Sequence, residues 1–314
     1  MLVTKNKSAW NFLSQSCALV ALSFTLSIAM LSQAPPMSES ATDWKAVESA
    51  LGRSGKPQPG DIYKVGMART DMHVTVDGVP IKAPLALGSW LAFRKMGSQA
   101  MVMGDLVLSE SEVEPVMLKL QQEGIEQTAL HNHVLNESPR VMYMHISGHG
   151  DPVKLARALH DALALTGTPA TYGPASATQD LGIDADALGK MLGAKGAVNG
   201  GVLQFSIPRA EKITDEGMDI PPSMGTATAI NFQPTGQGRA AITGDFVLIA
   251  TEVNPVIRAL RENGILVTAV HSHMLTEQPR LFFLHFWANG DALKLGRGLS
   301  AALDKTNSAK TAAK

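Results

Sequence analysis

Residues 128–151 read TALHNHVLNESPRVMYMHISGHGD, and residues 268–291 read TAVHSHMLTEQPRLFFLHFWANGD. Both stretches contain the pattern His-x-His-x11-His, and together they hold six of the nine histidines of the chain. A pattern that occurs twice in one chain predicts a duplicated structural unit. The six histidines are His131, His133 and His145 in the first stretch and His271, His273 and His285 in the second.

The duplication extends well beyond the histidines. Residues 104–163 align with residues 244–303 without a gap, and about half of the aligned positions are identical. Each copy is as long as an ordinary domain. The predicted organisation is a signal peptide (1–35), repeat 1 (42–165), a linker (166–180), repeat 2 (181–303) and a disordered tail (304–314).

The apolar pattern predicts the same order of elements in both copies. In repeat 1, buried runs predict strands at residues 101–108, 126–135 and 141–147. Helical spacing follows the first strand, and Ser111 with Glu114 is expected to cap that helix. The predicted fold class is therefore α+β, a tandem duplication of a strand-helix-strand-strand-helix unit with mixed sheets.

The first residues have the pattern of an export signal. Lys5 and Lys7 precede the apolar run CALVALSFTLSIAML at residues 17–31, and the polar stretch SQAPP follows. We expect a protein that is exported to the periplasm or secreted, with no membrane attachment once the signal is cleaved. An uncleaved N-terminal anchor is the alternative. Because the single cysteine, Cys17, lies in this run, the mature protein would hold a metal through nitrogen and oxygen alone.

The charge of the chain gives no reason to expect nucleic acid as a partner. The formal net charge is -1, so there is no basic excess to bind phosphates. The sequence does not determine the oligomeric state.

The histidine spacing predicts a metal site. Side chains alternate along a strand, so His131 and His133 point to the same face, and the strand that returns after the turn brings His145 beside them. Three imidazoles can bind zinc or another divalent metal and leave a fourth position open. The two triads either form two sites or meet across one pseudo-twofold interface. The alternative is that the histidines are structural and hydrogen-bonded.

Charged residues beside the histidines are candidates for further roles. Glu137 and Glu277 are candidate general bases or fourth ligands, and the alternative is a carboxylate facing solvent at the turn. Arg140 and Arg280 are candidates to bind the carboxylate or phosphate of a small anionic ligand, and the alternative is an ion pair with the nearby glutamate. Asp105 and Asp245 receive no role from the sequence.

Several longer motifs resemble a known family. GDLVLSESEVEPV, ALHNHVLNESPRVMYMH, SMGTATAINFQPTG, AITGDFVL and AVHSHMLTEQPRLFFLHFWANGD are similar to motifs of the LppY/LpqO family of exported bacterial proteins. The resemblance implies a duplicated domain and a location in the envelope or outside the cell, and it implies no established activity. The histidine spacing also resembles the metal motif of acetolactate decarboxylase. His131, His133 and Glu137 resemble the first cupin motif, whereas the predicted helix before them differs from a cupin barrel.

Three functional hypotheses follow. The first is an exported two-repeat protein that binds a divalent metal, with hydrolase or lyase chemistry at the ion. The second is a non-catalytic envelope protein that binds metal or a small ligand. The third is a structural duplicated module that binds no metal.

Overall fold

The computed structural model describes residues 44–171 and 180–309. The predicted signal peptide lies outside the described residues, as do residues 172–179 of the predicted linker and residues 310–314 of the predicted tail. Among the described helices, none combines the length and the apolar character that a membrane span requires.

The two repeats have the same succession of main elements. The elements of repeat 1 are α1 (Trp44–Leu51), β1 (Lys56–Gln58), β2 (Ile62–Ala68), β3 (Thr75–Val76), β4 (Val79–Pro80), α2 (Ala83–Ala86), β5 (Gly88–Met96), β6 (Gln99–Ser109), α3 (Glu110–Gln122), β7 (Glu126–His131), β8 (Glu137–Ser138), β9 (Val141–Gly150) and α4 (Pro152–Leu163). The elements of repeat 2 are α5 (Ala185–Leu192), β10 (Ala197–Asn199), β11 (Val202–Pro208), β12 (Thr214–Asp215), β13 (Met218–Asp219), a 3-10 turn (Pro222–Met224), β14 (Ala227–Gly236), β15 (Arg239–Ile249), α6 (Ala250–Glu262), β16 (Leu266–His271), β17 (Leu281–Asp291) and α7 (Ala292–Leu303).

Each repeat builds one six-stranded sheet, and the predicted α+β class is confirmed. The strand order is β1-β2-β5-β6-β9-β7 in repeat 1 and β10-β11-β14-β15-β17-β16 in repeat 2. Mixed sheets were expected, but both sheets are antiparallel throughout. The reason is that α3 returns the chain so that β6 and β7 run in the same direction, while β9 lies between them and pairs with both.

The helices cover one face of each sheet. In repeat 1, Leu51, Leu120 and Leu159 of the helices pack against Val102 and Leu106 of β6, and all five side chains are buried. Burial of each such side chain stabilises the fold by about 1.5–3 kcal/mol. Repeat 2 buries an equivalent cluster beneath α5, α6 and α7.

The opposite faces of the two sheets meet each other. One apolar cluster there combines Tyr143 of repeat 1 with Trp287 of repeat 2, and a second combines Met103 with Phe283. The layers therefore follow the order helix, sheet, sheet, helix. The residues that face inward from β6, β9, β15 and β17 lie between the two repeats, and this is where the histidines are found.

Helix α3 begins two residues earlier than the expected capping box. Ser109 is the N-cap, and the Glu112 carboxylate accepts a hydrogen bond of 2.8 Å from the Ser109 backbone N–H. The sequence SESEVE contains two overlapping Ser-x-x-Glu patterns, so spacing alone does not separate Ser109 with Glu112 from Ser111 with Glu114. The end of β6 at Ser109 decides between them, because the helix starts where strand pairing stops.

A buried arginine ties the start of this helix to the sheet. Arg69 is 2% exposed, and its Nη1 donates to the Val107 carbonyl at 2.6 Å and to Glu112 at 2.8 Å. Because the charge is fully paired and hydrogen-bonded, its burial is tolerated. Repeat 2 has the same arrangement in Arg209, Val247 and Glu252.

The described part of the predicted tail is hydrogen-bonded to repeat 2. Asn307 accepts a backbone hydrogen bond from Ala210, and the Ala309 backbone donates to Pro208. An isolated antiparallel β-bridge pairs Arg209 with Ser308. Residues 304–309 therefore extend the contacts of repeat 2 and do not leave its surface.

We predict that Gly244→Ala destabilises the fold. A Cβ at Gly244 would clash with the Ala229 backbone oxygen, so the neighbouring strands β14 and β15 would have to separate. The expected loss is about 1–3 kcal/mol of unfolding free energy, measured by urea denaturation. Gly66→Ala is the matched control, because a Cβ there meets nothing within 4 Å. Equal stability of the two variants would contradict this account.

Candidate metal centre

Strand register places the three histidines of each repeat on one face. In repeat 1, His145 of β9 lies opposite Asp105 of β6 on one side and Ala129 of β7 on the other. His131 follows two residues after Ala129, so it shares the same face. Repeat 2 has the same register, with His285 opposite Asp245 and Ala269.

All six histidines converge where the two sheets meet. The ring centroids of His131 and His271, which occupy equivalent positions in the two repeats, are 3.7 Å apart. The pair His133 and His285 is separated by 3.9 Å, and its symmetry equivalent, His273 and His145, by 3.6 Å. The two triads therefore meet at one pseudo-twofold interface, and the axis passes between His131 and His271.

Three overlapping sets of side chains in this cluster could hold a metal ion. Within each set, the available nitrogen or oxygen atoms all lie within 4.8 Å of one another. Two of the three sets combine histidines from both repeats, so an ion bound there would join the repeats. The sets are His131, His145, His271 and His273; then His131, His133 and His285; and, within repeat 2, Asp245, His271, His273 and His285.

Two aspartates complete the cluster, although no motif of the sequence predicts a role for them. Asp105 Oδ2 is 3.9 Å from Nε2 of both His133 and His145. Asp245 Oδ2 is 3.4 Å from His273 Nε2. The signal that could have identified them is a carboxylate inside an apolar strand, after a glycine, in both copies.

Burial keeps the cluster uncharged when no ion is bound. Desolvation raises the pKa of Asp105 to about 8 and raises the pKa of Asp245 well above its ordinary value. Desolvation also lowers the pKa of His131 to about 4 and of His285 to about 3. The pKa values of His133, His145, His271 and His273 are lowered by the same cause and by the neighbouring imidazoles.

Seven buried polar atoms of the cluster have no hydrogen-bond partner. A buried polar atom without a partner costs about 1–3 kcal/mol, so several at one place call for an explanation. Within the described residues, the unpartnered buried side-chain atoms are Nε2 of His131, His133, His145 and His285, Nδ1 of His271, Oδ1 of Asp105 and Asp245, and Oε2 of Glu137.

Backbone carbonyls orient two of the rings. His285 Nδ1 lies 2.8 Å from the Gly244 carbonyl oxygen, and His131 Nδ1 lies 3.1 Å from the Asn132 carbonyl oxygen. A carbonyl accepts only from a protonated nitrogen, so these contacts favour the tautomer with the proton on Nδ1. The Nε2 lone pairs of both rings are then directed at the cluster, as in metal-ligating histidines.

Aromatic rings hold two further histidines in place. His133 stacks on Tyr143 with centroids 3.3 Å apart, and His273 stacks on Phe283 at 3.5 Å. The Tyr143 hydroxyl donates to the Ala86 carbonyl at 3.1 Å, which fixes its ring. Packing of this kind limits the rotamers of the imidazoles before any ligand arrives.

The two predicted general bases, Glu137 and Glu277, form hydrogen bonds within the turn that joins the histidine-bearing strands of each repeat. Glu137 Oε1 accepts a hydrogen bond of 3.0 Å from the Val141 backbone N–H. Glu277 is fully buried, accepts from Leu281 N–H at 2.9 Å and pairs with Arg280 at 3.1 Å. Neither glutamate belongs to the metal-capable sets found among the described residues.

The two arginines predicted to bind an anion lie at the turns as well. Arg280 donates to the carbonyls of Met274 and Leu275 and pairs with Glu277, as the ion-pair alternative expected. Arg140 is exposed and lies 3.8 Å from Glu110. Neither arginine lines the cavity that opens beside the histidines.

A cavity of about 1340 Å³ opens onto one side of the cluster. Its walls come from both repeats and include strands β2 and β5 of repeat 1 and strands β11 and β14 of repeat 2. A small molecule in this cavity would therefore touch the cluster directly. The members of the cluster that line it are His133, His145, His273, His285, Asp105 and Asp245.

Comparison with protein families assigns both repeats. Residues 45–165 and residues 186–305 each match a family described as Domain of Unknown Function (DUF1259). The chain belongs to this family. It carries two copies of the domain, so the duplication seen in the sequence is a duplication of the whole family domain. Comparison with curated proteins gave no significant match.

Comparison with solved structures gave two distant similarities. A trimeric bacterial microcompartment shell protein, PduB, is 12% identical, with a TM-score of 0.21 over 82% of this chain and 91% of that chain. EtuB from Clostridium kluyveri is 9% identical, with a TM-score of 0.19 over 81% of this chain and 90% of that chain. Similarity at these TM-scores carries no argument about the fold or function of this chain.

We predict that acid destabilises the metal-free protein. The folded-state pKa values of the six histidines are below the unfolded value of 6.5, so the unfolded chain binds more protons as the pH falls below 6.5. Their contribution to stability is complete above pH 6.5 and is lost as the pH falls towards 4. Urea denaturation in the presence of a chelator measures this loss.

We also predict that the metal-free protein loses stability as the pH rises from 6.5 to 8. The pKa of Asp105 is raised from 3.8 to about 8, so the folded state keeps a proton that the unfolded chain releases, and this contribution disappears as the pH rises through 8. The unfolding free energy should therefore be greatest near pH 6.5. The double variant Asp105→Asn/Asp245→Asn should lose less between pH 6.5 and 8. A wild-type free energy that still rises at pH 8 would contradict the prediction.

Proposed function

We propose that this protein binds a divalent transition metal, zinc in the first place, at the histidine cluster between its two repeats. The observation that carries the proposal is the set of seven buried, unpartnered nitrogen and oxygen atoms on five histidines and two aspartates of one cluster. One metal ion can bind several such atoms at once, whereas no hydrogen bond within the cluster reaches these seven atoms.

The chemistry of the cluster fits this class of ion. Imidazole nitrogens and carboxylate oxygens are common ligands of zinc and of other divalent transition metals. The histidines are neutral because of their burial, so their nitrogens are ready to bind without losing a proton. Asp105 and Asp245 would supply negative charge once an ion displaces their protons.

We further propose that the bound ion acts on a small molecule in the adjacent cavity. Four histidines and both aspartates line the cavity wall, so the ion would be accessible to an outside ligand. A divalent ion in such a place supplies Lewis-acid chemistry, which suits a hydrolase or a lyase. The second candidate is a non-catalytic envelope protein that stores metal or binds a ligand, and ligand exchange without turnover would favour it.

The location of the protein is a separate proposal. Lys5, Lys7 and the apolar run at residues 17–31 support export by a signal peptide at residues 1–35. The resemblance to the LppY/LpqO family supports the same location. Mass spectrometry of the N-terminus in cell fractions tests it, and a chain that keeps residue 1 in the cytoplasm would contradict it.

Zinc binding is measured with the full chain, purified without a His tag and competed with a chromophoric chelator. His145→Ala and His273→Ala remove ligands that come from different repeats but belong to one metal-capable set. Mutation of a residue that only hydrogen-bonds to a metal ligand typically weakens metal affinity by about 10- to 100-fold. We predict that each of these variants, which removes a ligand itself, weakens zinc affinity by at least that much.

Two other histidines provide matched controls. His149 is partly exposed near Glu216, and His160 lies against the Leu51 carbonyl, so neither belongs to the cluster. His149→Ala and His160→Ala should leave zinc affinity unchanged. If the wild-type chain takes up no zinc, or if His145→Ala binds it as tightly as wild type, the proposed metal centre is wrong.

A further inference from the structure

A row of cross-strand neighbours leads from the histidine cluster into the cavity. In repeat 1, His145 lies opposite Asp105, Asp105 opposite Trp90, and Trp90 opposite Gly66. Residues that are directly opposite share one face of an antiparallel sheet. All four residues line the cavity, so the row forms one of its walls.

Lys64 adds a positive charge to this wall. It precedes Gly66 by two residues on β2, so its side chain leaves the same face of the sheet. Its Nζ lies 4.4 Å from the centre of the Trp90 ring and donates a hydrogen bond of 2.8 Å to the Ser223 carbonyl. Trp90 is therefore a neighbour of both residues, because its ring lies against the Lys64 ammonium group and its backbone lies opposite Asp105.

No carboxylate of the described residues lies within ion-pair distance of Lys64. The ammonium group contacts the face of the Trp90 ring and the Ser223 carbonyl oxygen. These two partners together stabilise a cation less strongly than a paired carboxylate does. Burial lowers its pKa to about 8, and the side chain still carries its charge at neutral pH. Asp105 and Asp245 face the same cavity, but the proposed ion would use their charge. Glu48 also lines the cavity, and its carboxylate accepts a hydrogen bond from the Tyr63 hydroxyl. Lys64 is then left as a cation with no carboxylate in an ion pair to it.

The equivalent position in repeat 2 is neutral and already occupied by other contacts. Gln204 of β11 takes the place of Lys64; its Nε2 donates to the Pro84 carbonyl at 2.8 Å, and its Oε1 accepts from Asn199. Ala229 takes the place of Trp90, opposite Asp245. The pseudo-symmetry of the cluster is thus broken in the cavity, because of these two equivalent positions only the one in repeat 1 carries a positive charge.

We propose that the cavity binds a small organic carboxylate, with its carboxylate group paired to the Lys64 ammonium, its apolar body against Trp90 and its far end directed at the metal centre. The inference rests on the proposed function for that last contact and for the assignment of the Asp105 and Asp245 charge to the ion. The pairing with Lys64 replaces the anion-binding roles predicted for Arg140 and Arg280, whose side chains lie outside the cavity. The role of Lys64 is to bind the ligand and to favour anionic over neutral ligands.

Benzoate is the probe, because it combines one carboxylate with an apolar ring that fits against Trp90. Isothermal titration of the zinc-loaded full chain should show benzoate binding and much weaker binding of benzamide, which has the same shape without the charge. Lys64→Met should weaken benzoate binding by about 10-fold or more, because the charge pair is lost in a site shielded from water.

Lys195→Met is the matched control, since Lys195 also lines the cavity but is exposed. It should change benzoate affinity by less than about 2-fold, as expected for a solvated charge at the rim. Gly66→Leu serves as a second variant. A side chain at Gly66 enters open space and should occupy part of the cavity, so benzoate binding should fall without loss of zinc.

The outcomes separate this inference from the proposed function. If Lys64→Met binds benzoate as tightly as wild type, if wild type binds benzamide equally well, or if wild type does not bind benzoate, the inference is overturned even when zinc is bound. If the chain binds no zinc but benzoate binding still depends on Lys64, the metal proposal fails and the carboxylate site stands.

Discussion

The central constraint in this structure is the placement of eight ionisable side chains between two sheets, four of them buried and four partly buried. Six imidazoles and two carboxyl groups are held in the interface with seven of their polar atoms buried and unpartnered, and desolvation favours their uncharged forms. An arrangement of this kind works against stability, because each unpartnered buried group costs free energy. The apolar clusters around it, with Trp287 and Phe283 among them, must offset that cost.

The duplication gives this constraint a simple geometric origin. In each repeat, a histidine triad and an aspartate lie on the face of the antiparallel sheet that the helices of the same repeat do not cover. When the two faces meet, His131 and His271 are brought to 3.7 Å, and every other histidine finds a partner from the opposite repeat. The buried ion pairs of Arg69 and Arg209 fix helix to sheet on the outer side, so the inner faces keep their register.

The sequence was sufficient for the repeat, the α+β class and the choice of histidines, because spacing and strand alternation decide which side chains share a face. It was insufficient where the partner of a residue lies in another strand or in the other repeat. Asp105 is such a case, since its role follows from β6 and β9 lying side by side. For Glu137, the spacing to the histidines predicted a base or a fourth ligand, and the hydrogen bond from the Val141 N–H to its Oε1 at the turn could not be read from the sequence. Lys64 carries no motif and becomes visible only as part of the cavity wall.

The most direct test of the account is anomalous diffraction at the zinc edge from crystals of the zinc-loaded full chain. We predict a strong peak between the two sheets, about 2.0–2.2 Å from nitrogen or oxygen ligands that come from both repeats, with His145 and His273 among them. A peak bound by histidines of a single repeat would contradict the shared centre. A loaded crystal with zinc only at surface sites would contradict the metal centre itself.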